Sequence, residues 1–167
     1  IIAISIKMVG LLLITWVNAQ DSKITQELTR FTEVKAFDGI SVKLIKSNEN
    51  KAVITGENIQ KVAIVNNDGV LKIRMQINKI FSGYRTFVDL YYTEKLVIID
   101  VNEDARIAAD HTIQQDVLEL KAQEGGELKI NAQVELGAAS PHAPQSIKRY
   151  SLYTKGGHGP SLQASAT

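Results

Sequence analysis

The segment Leu118-Glu-Leu120, Gly125-Gly126, Leu128-Lys-Ile130 returns downstream as Tyr150-Ser-Leu152, Gly156-Gly157, Leu162-Gln-Ala164. A looser copy lies upstream, in Leu96-Val-Ile98, Glu103-Asp104 and Ala105-Arg-Ile107. Each unit reads apolar-x-apolar, tight turn, apolar-x-apolar. The copies recur after about 22 and then about 32 residues, a period typical of solenoid repeats. Two short strands cannot enclose a core by themselves, so the copies must stack. Stacked rungs with small residues at the corners predict an all-β chain of parallel β-helix or solenoid type. An aromatic content of 6% agrees, because a narrow coil interior suits Ile, Leu, Val and Ala.

Upstream of the repeat the period is two. Ile40, Val42 and Leu44 alternate with Ser41 and Lys43, and Leu71, Ile73 and Met75 alternate with Lys72, Arg74 and Gln76. Between Val62-Ala-Ile64 and Leu71 stands Asn66-Asn67-Asp68-Gly69, the turn chemistry of an antiparallel hairpin. Thr86 to Tyr92, Leu96 to Val101, Ala105 to Ala109, Val117 to Ala122 and Glu127 to Val134 are further strand candidates. Asp21 to Phe31 has Ile24, Leu28 and Phe31 at helical spacing, yet its threonines and its continuity with the next strand favour an extended segment. The three prolines, Pro141, Pro144 and Pro160, leave Asp21 to Ser140 uninterrupted, as ladder hydrogen bonding requires. A more antiparallel N-terminal portion leading into solenoid rungs satisfies both signals, and a β-sandwich built from hairpins is the alternative.

The 167 residues carry 19 basic and 18 acidic side chains and no cysteine. Disulfides, cysteine-ligated zinc, iron–sulfur clusters, thiol nucleophiles and cysteine-attached lipids are therefore excluded. Near-zero net charge without a basic block argues against nucleic acid, whose phosphates demand a concentrated basic face. Met8 to Val17 is an apolar run of ten, too short as a helix to span a bilayer core of about 30 Å. Val17-Asn18-Ala19-Gln20 follows it with side chains suited to signal-peptide cleavage between Ala19 and Gln20. The expected organisation is a signal peptide over residues 1–19 and a single domain over 20–167. The mature protein is then periplasmic, secreted or surface-held, with no integral span and no lipoprotein anchor.

Phe37-Asp38-Gly39-Ile40-Ser41-Val42, the Val-x-Ile-x-x-x-Asp-Gly-x-Leu-x-Ile unit from Val62 to Ile73, and the Gly-Gly corners at Gly125-Gly126 and Gly156-Gly157 together resemble the head GIN domain family of adhesins. The family is common in secreted and surface proteins of Bacteroidetes, and the resemblance runs roughly from Thr25 to Thr167. It implies a right-handed β-helix-like domain outside the cytoplasm with an adhesive or envelope role, no catalytic residues and no cofactor. Two departures stand out: Leu136 to Gln145 reads as a proline-bearing insertion, and Thr167 falls just after a rung begins its second strand. With Ile1 as the first residue, the sequence is expected to be a fragment of a longer chain.

Chemistry is sparse. Asp100-Val-Asn102-Glu-Asp104 opens like a calcium loop, but Ala105 and His111 stand where glycine and glutamate are needed. A looser metal site on a turn would use Asp100, Asp104 and Asp110. Asp100, Glu103, Asp104, Asp110, Asp116 and Glu119 supply carboxylates for a polysaccharide lyase or hydrolase, the alternative function, although spacing pairs none of them across a substrate. A periplasmic sensory or regulatory module is the second alternative. His111, His142 and His158 form no ligand pattern, Ser140 near His142 lies in a proline-bearing loop, and Gly156-Gly-His-Gly159 lacks the Lys-Ser/Thr of a phosphate loop. Tyr84 to Tyr92 holds the densest aromatic group. If it is a strand, Arg85, Phe87, Asp89 and Tyr91 share one face, and Arg85, Phe87 and Tyr91 would make a platform for envelope glycans or a protein partner.

Overall fold

The computed structural model describes residues 23–76, 84–136, 146–155 and 162–166. The expected signal peptide over residues 1–19, most of the segment read as a proline-bearing insertion, and Gly156-Gly157 lie outside them. The described chain is all-β. Its strands are β1 (Ile24–Glu27), β2 (Glu33–Ala36), β3 (Ser41–Lys46), β4 (Lys51–Gly56), β5 (Val62–Asn67), β6 (Val70–Met75), β7 (Thr86–Tyr92), β8 (Ile98–Val101), β9 (Arg106–Gln115), β10 (Leu118–Ala122), β11 (Glu127–Leu136), β12 (Ser146–Lys155) and β13 (Leu162–Ala166). A single 3-10 turn, Ile59–Lys61, interrupts them.

Two mixed sheets result. One has the order β1-β4-β7-β3-β9-β11-β12 and the other β13-β10-β8-β2-β6-β5. The middle of each is parallel: Val70, Glu33, Ile98 and Glu119 stand in one register across β6, β2, β8 and β10. Phe87, Ser41, Arg106 and Glu127 do so across β7, β3, β9 and β11. Strand pairs β2–β3, β8–β9 and β10–β11 each cross from the six-stranded to the seven-stranded sheet through a four-residue turn. The alternation in the sequence sends one set of side chains inward, and Val34, Leu44, Leu71, Leu90, Ile99, Ile107 and Leu128 are fully buried in one core. Each such aliphatic side chain contributes roughly 1.5–3 kcal/mol on burial.

The three turns are stacked copies of one conformation. Ala105 N–H donates to the Asn102 carbonyl at 2.9 Å and Gly126 N–H to the Gln123 carbonyl at 2.8 Å, while both central residues of each turn have positive φ. That is the type I′ pattern, which explains Asp38-Gly39 and Glu124-Gly125. Neighbouring turns are linked by Gly39 N–H donating to the Glu103 carbonyl at 2.8 Å and Asp104 N–H to the Glu124 carbonyl at 3.0 Å.

The hairpin expected around Asn66 to Gly69 is β5–β6, antiparallel, and Asp21 to Phe31 contributes an extended strand, β1. Two expectations are corrected. The looser copy sits one or two residues out of phase: Ile98 aligns with Glu119 and Arg106 with Glu127, an offset of 21 residues (119 − 98 and 127 − 106). The copy beginning at Tyr150 is not another parallel rung, because β12 runs antiparallel to β11 and β13 antiparallel to β10. Consecutive strands that neighbour each other in one sheet, as β11 and β12 do, need no crossover when antiparallel, and that connection is the shorter one.

Candidate functional site

Strand β7 lies between β4 and β3, so both of its edges are hydrogen-bonded to neighbours and its register is fixed. Thr86, Val88, Leu90 and Tyr92 point into the core, while Phe87, Asp89 and Tyr91 lie on the outer face. The sequence-derived division of faces is therefore what the strand adopts. Phe87 is 48% exposed in the row Thr55, Phe87, Ser41, Arg106, Glu127. Tyr91 is four residues along, roughly 13 Å away, beneath the Lys51 ammonium at 4.9 Å. Arg85 precedes the strand and pairs with Glu57 at 3.0 Å. Arg106 pairs with Glu127 at 3.0 Å and stacks its guanidinium 3.7 Å from the Tyr84 ring centroid. Of the three proposed platform residues, Phe87 and Tyr91 thus share the outer face of β7 while Arg85 lies just ahead of the strand, and several charges on this face have partners.

A second feature escaped the sequence reading, which ends the strand candidate starting at Ala105 at Ala109. Strand β9 continues to Gln115, and its register against β11 jumps from Ala108↔Lys129 to Thr112↔Asn131. Three residues, Ala109 to His111, stand where β11 has only Ile130. Such an irregularity bends a strand and re-aims its side chains. Pairing with β3 stops at Leu44↔Ala109, and beyond it a pocket of about 260 Å³ opens between the ends of β3 and β7 and the second half of β9. The only sequence signal for it was the continued alternation through Ile113 and Gln115.

The pocket's inner wall is a tyrosine–histidine pair. Tyr92 Oη and His111 Nε2 are 2.7 Å apart, with ring centroids at 5.9 Å. Burial pushes the Tyr92 phenol up to about 12, so it stays protonated at neutral pH. Burial also pulls His111 below its ordinary value, against the attraction of Asp110 and with help from Lys46. A neutral imidazole that accepts at Nε2 carries its proton on Nδ1. Gln115, 5% exposed, donates its side-chain amide to the Leu96 and Val117 carbonyls.

The carboxylates scatter. Asp100, 6% exposed, faces outward from the six-stranded sheet, accepts from Asn102 Nδ2 at 2.9 Å and Gln123 Nε2 at 3.3 Å, and has Lys35 Nζ at 3.8 Å. Asp104 is in the β8–β9 turn, with its carboxylate filling the space above Gly125. Asp110 is on the outer face of the other sheet, paired with Lys43. Among the described residues no three His, Cys, Asp or Glu side chains are grouped as a metal site requires. Asp116 pairs with Lys95 and Glu119 with Lys121. Glu103 neighbours Asp38, and burial first, then the hydrogen bond and charge of Asp38, raise its carboxyl above the usual range. Ala19, Gln20, Ser140, His142 and His158 are outside the described residues, among which no helix is long and apolar enough to cross a membrane.

Residues 30–140, more than half of the chain, match the family described as putative auto-transporter adhesin, head GIN domain. No curated protein matches. A crystal structure of a putative adhesin from Bacteroides fragilis is similar with a TM-score of 0.57 at 14% identity, over 66% of this chain and 54% of that one. Another, from Parabacteroides merdae, has a TM-score of 0.50 at 22% identity, over 69% of this chain and 45% of that one. At such identities the likeness is one of fold, and the chain spans about half the length of these structures.

Proposed function

Because this chain belongs to the head GIN domain family, we propose that it is an exported, non-enzymatic domain with an adhesive or binding role at a bacterial cell envelope, acting through the outer face of its seven-stranded sheet. In this reading β6–β7, β2–β3, β8–β9 and β10–β11 are rungs of a right-handed β-helix. The parallel registers support the rungs, and the strong preference for right-handed crossovers between parallel strands supports the hand. The apolar run Met8 to Val17 and the small side chain of Ala19 support export, with the product beginning at Gln20.

The observation that carries the binding reading is Phe87. A large ring on an inner strand of the sheet remains 48% exposed, adding nothing to the core while every alternate residue of β7 is buried. Exposed aromatic side chains near the middle of a surface are the residues that dominate interface energetics. Tyr91, covered on one side by Lys51, supplies a second ring on the same face. Affinity would be spread over this flat, largely charge-compensated surface rather than gathered in a catalytic cleft.

The test immobilises envelope glycans and outer-membrane preparations and measures binding of the full chain, Phe87→Ser and Tyr91→Ser. Each ring removal should weaken binding about tenfold, or ~1.4 kcal/mol, with unchanged thermal stability. Binding indifferent to both substitutions would remove the outer face as the platform.

A further inference from the structure

From the register jump in β9 and the side chains it gathers, we infer that the pocket beside Tyr92 and His111 is a second binding site, distinct from the outer face, that takes one neutral sugar residue. Three observations carry this. The first is construction. The pocket exists because Ala109 to His111 are accommodated opposite Ile130, which turns β9 away from β3 while the strand stays in register with β11 on either side. Most of its walls are on strands β3, β7 and β9, with Glu94 and Lys95 of the β7–β8 connection completing them. Gln115 is held by two carbonyls, and Tyr92 and His111 fix each other.

The second is size. About 260 Å³ lies just below the 300–1,000 Å³ of sites that hold drug-sized ligands, so it suits a single saturated ring. The third is the character of the lining. The charged groups around the pocket are all engaged within the protein, Glu94 and Lys95 by opposite charges and Lys46 by carbonyls and a ring. The Lys46 ammonium donates to the Thr93 and Glu94 carbonyls and lies 4.9 Å over the Tyr92 ring; Glu94 pairs with Arg30 at 3.4 Å, and Lys95 with Asp116 at 3.2 Å. Burial, opposed by Asp110 and aided by Lys46, holds His111 below its ordinary value, so the imidazole is neutral at neutral pH.

What remains of the lining is Tyr92, His111, Thr112 and Gln114, residues with hydroxyl, imidazole and amide groups, interspersed with alkyl surface. These groups both donate and accept without net charge. A ring carrying several hydroxyls has the same mixture of donors, acceptors and C–H faces. A phosphate or carboxylate would meet a single ammonium, that of Lys46, already held by two carbonyls, and a metal ion no carboxylate cluster among the described residues.

The test follows the His111 ring signals of the isotope-labelled full chain by NMR during titration with glucose, galactose, mannose and N-acetylglucosamine. A second arm uses oligosaccharides ending in the same residues, which distinguishes a free sugar from a glycan terminus. At least one neutral sugar should shift these signals saturably, with a Kd on the order of 1–10 mM. Gln114→Ala and Thr112→Val, at exposed positions, should weaken that Kd by about fivefold or more without changing thermal stability. Phe87→Ser should leave it unchanged. The inference is overturned if no neutral sugar shifts His111 saturably, if inorganic phosphate or glucuronate binds more tightly than every neutral sugar, or if Phe87→Ser abolishes the shift.

Discussion

At the scale of single residues, the turn positions carry the most exacting demands. A side chain on Gly126 would place its Cβ 2.5 Å from the Val101 carbonyl oxygen, and one on Gly125 would meet the Asp104 carboxylate while holding a φ of +81°. The Gly-Gly pair is therefore a stacking requirement: each turn sits directly on the one before it. Gly126→Ala is expected to lower stability by roughly 1–3 kcal/mol, read as a lower urea midpoint with unchanged slope. The neighbouring turn instead uses Glu103 and Asp104 with φ of +49° and +58°, conformations that L side chains adopt at a penalty.

His111 gives the residue-scale pH prediction. Its folded pKa is lowered, so the folded state binds the proton less readily than the unfolded chain does. The stability associated with neutral His111 is present above the unfolded value of 6.5 and is lost as pH falls through that value towards the folded one. Chemical denaturation between pH 8 and 5 should show this loss, and the difference between the protein and His111→Gln isolates it from other groups. An equal slope in both would refute the assignment.

At the scale of elements, period two made most strands legible. Ile40-Ser-Val42 and Leu71-Lys-Ile73 alternate cleanly because one side faces the core and the other water, and Asn67-Asp68-Gly69 named its turn because few residues tolerate positive φ. The pairing partners were less legible. Parallel neighbours such as β2 and β8 lie 65 residues apart (98 − 33), a contact that no local pattern encodes. The bulge in β9 was invisible for a related reason: it preserves the alternation on both sides, so Ile107 and Ile113 both look inward while the strand between them is displaced. The direction of β12 was misread because a repeat of residue types specifies faces and turns but not strand direction.

The layering itself is testable by contrast. Leu90 on β7 is fully buried, whereas Val65 on edge strand β5 is 48% exposed. Leu90→Ala should cost about 2–5 kcal/mol and Val65→Ala less than about 0.5 kcal/mol, measured as urea unfolding free energies. Similar values for the two would mean that β7 does not lie over the core.

At the scale of the whole molecule, the question is whether the stack of strands behaves as a linear array or as one body. A one-dimensional array of repeats can fray from either end, each rung being held only by its neighbours. Here the N-terminal end is tied across both sheets. The Gln26 side-chain amide donates to the Ile64 carbonyl at 3.2 Å and Asn66 donates to the Arg30 carbonyl at 2.9 Å, joining β1 and the segment after it to β5. Phe31, fully buried, closes the core beneath these links, and the same continuous core reaches Leu128 and Ile130 on β11. Surface ion pairs such as Arg106–Glu127 add little, about 0–1 kcal/mol each, so cooperativity has to come from this shared apolar interior. Unfolding followed by far-UV circular dichroism and by tyrosine fluorescence should therefore show one coincident transition. Phe31→Ala, at about 3–5 kcal/mol, and Leu128→Ala, at about 2–5 kcal/mol, should move that transition as a whole from opposite ends of the stack. Hydrogen exchange supplies the decisive comparison: amides of β2 and β11 should share one opening free energy in each variant. If Leu128→Ala released β10 and β11 while β2 stayed protected, the molecule would be a linear array after all.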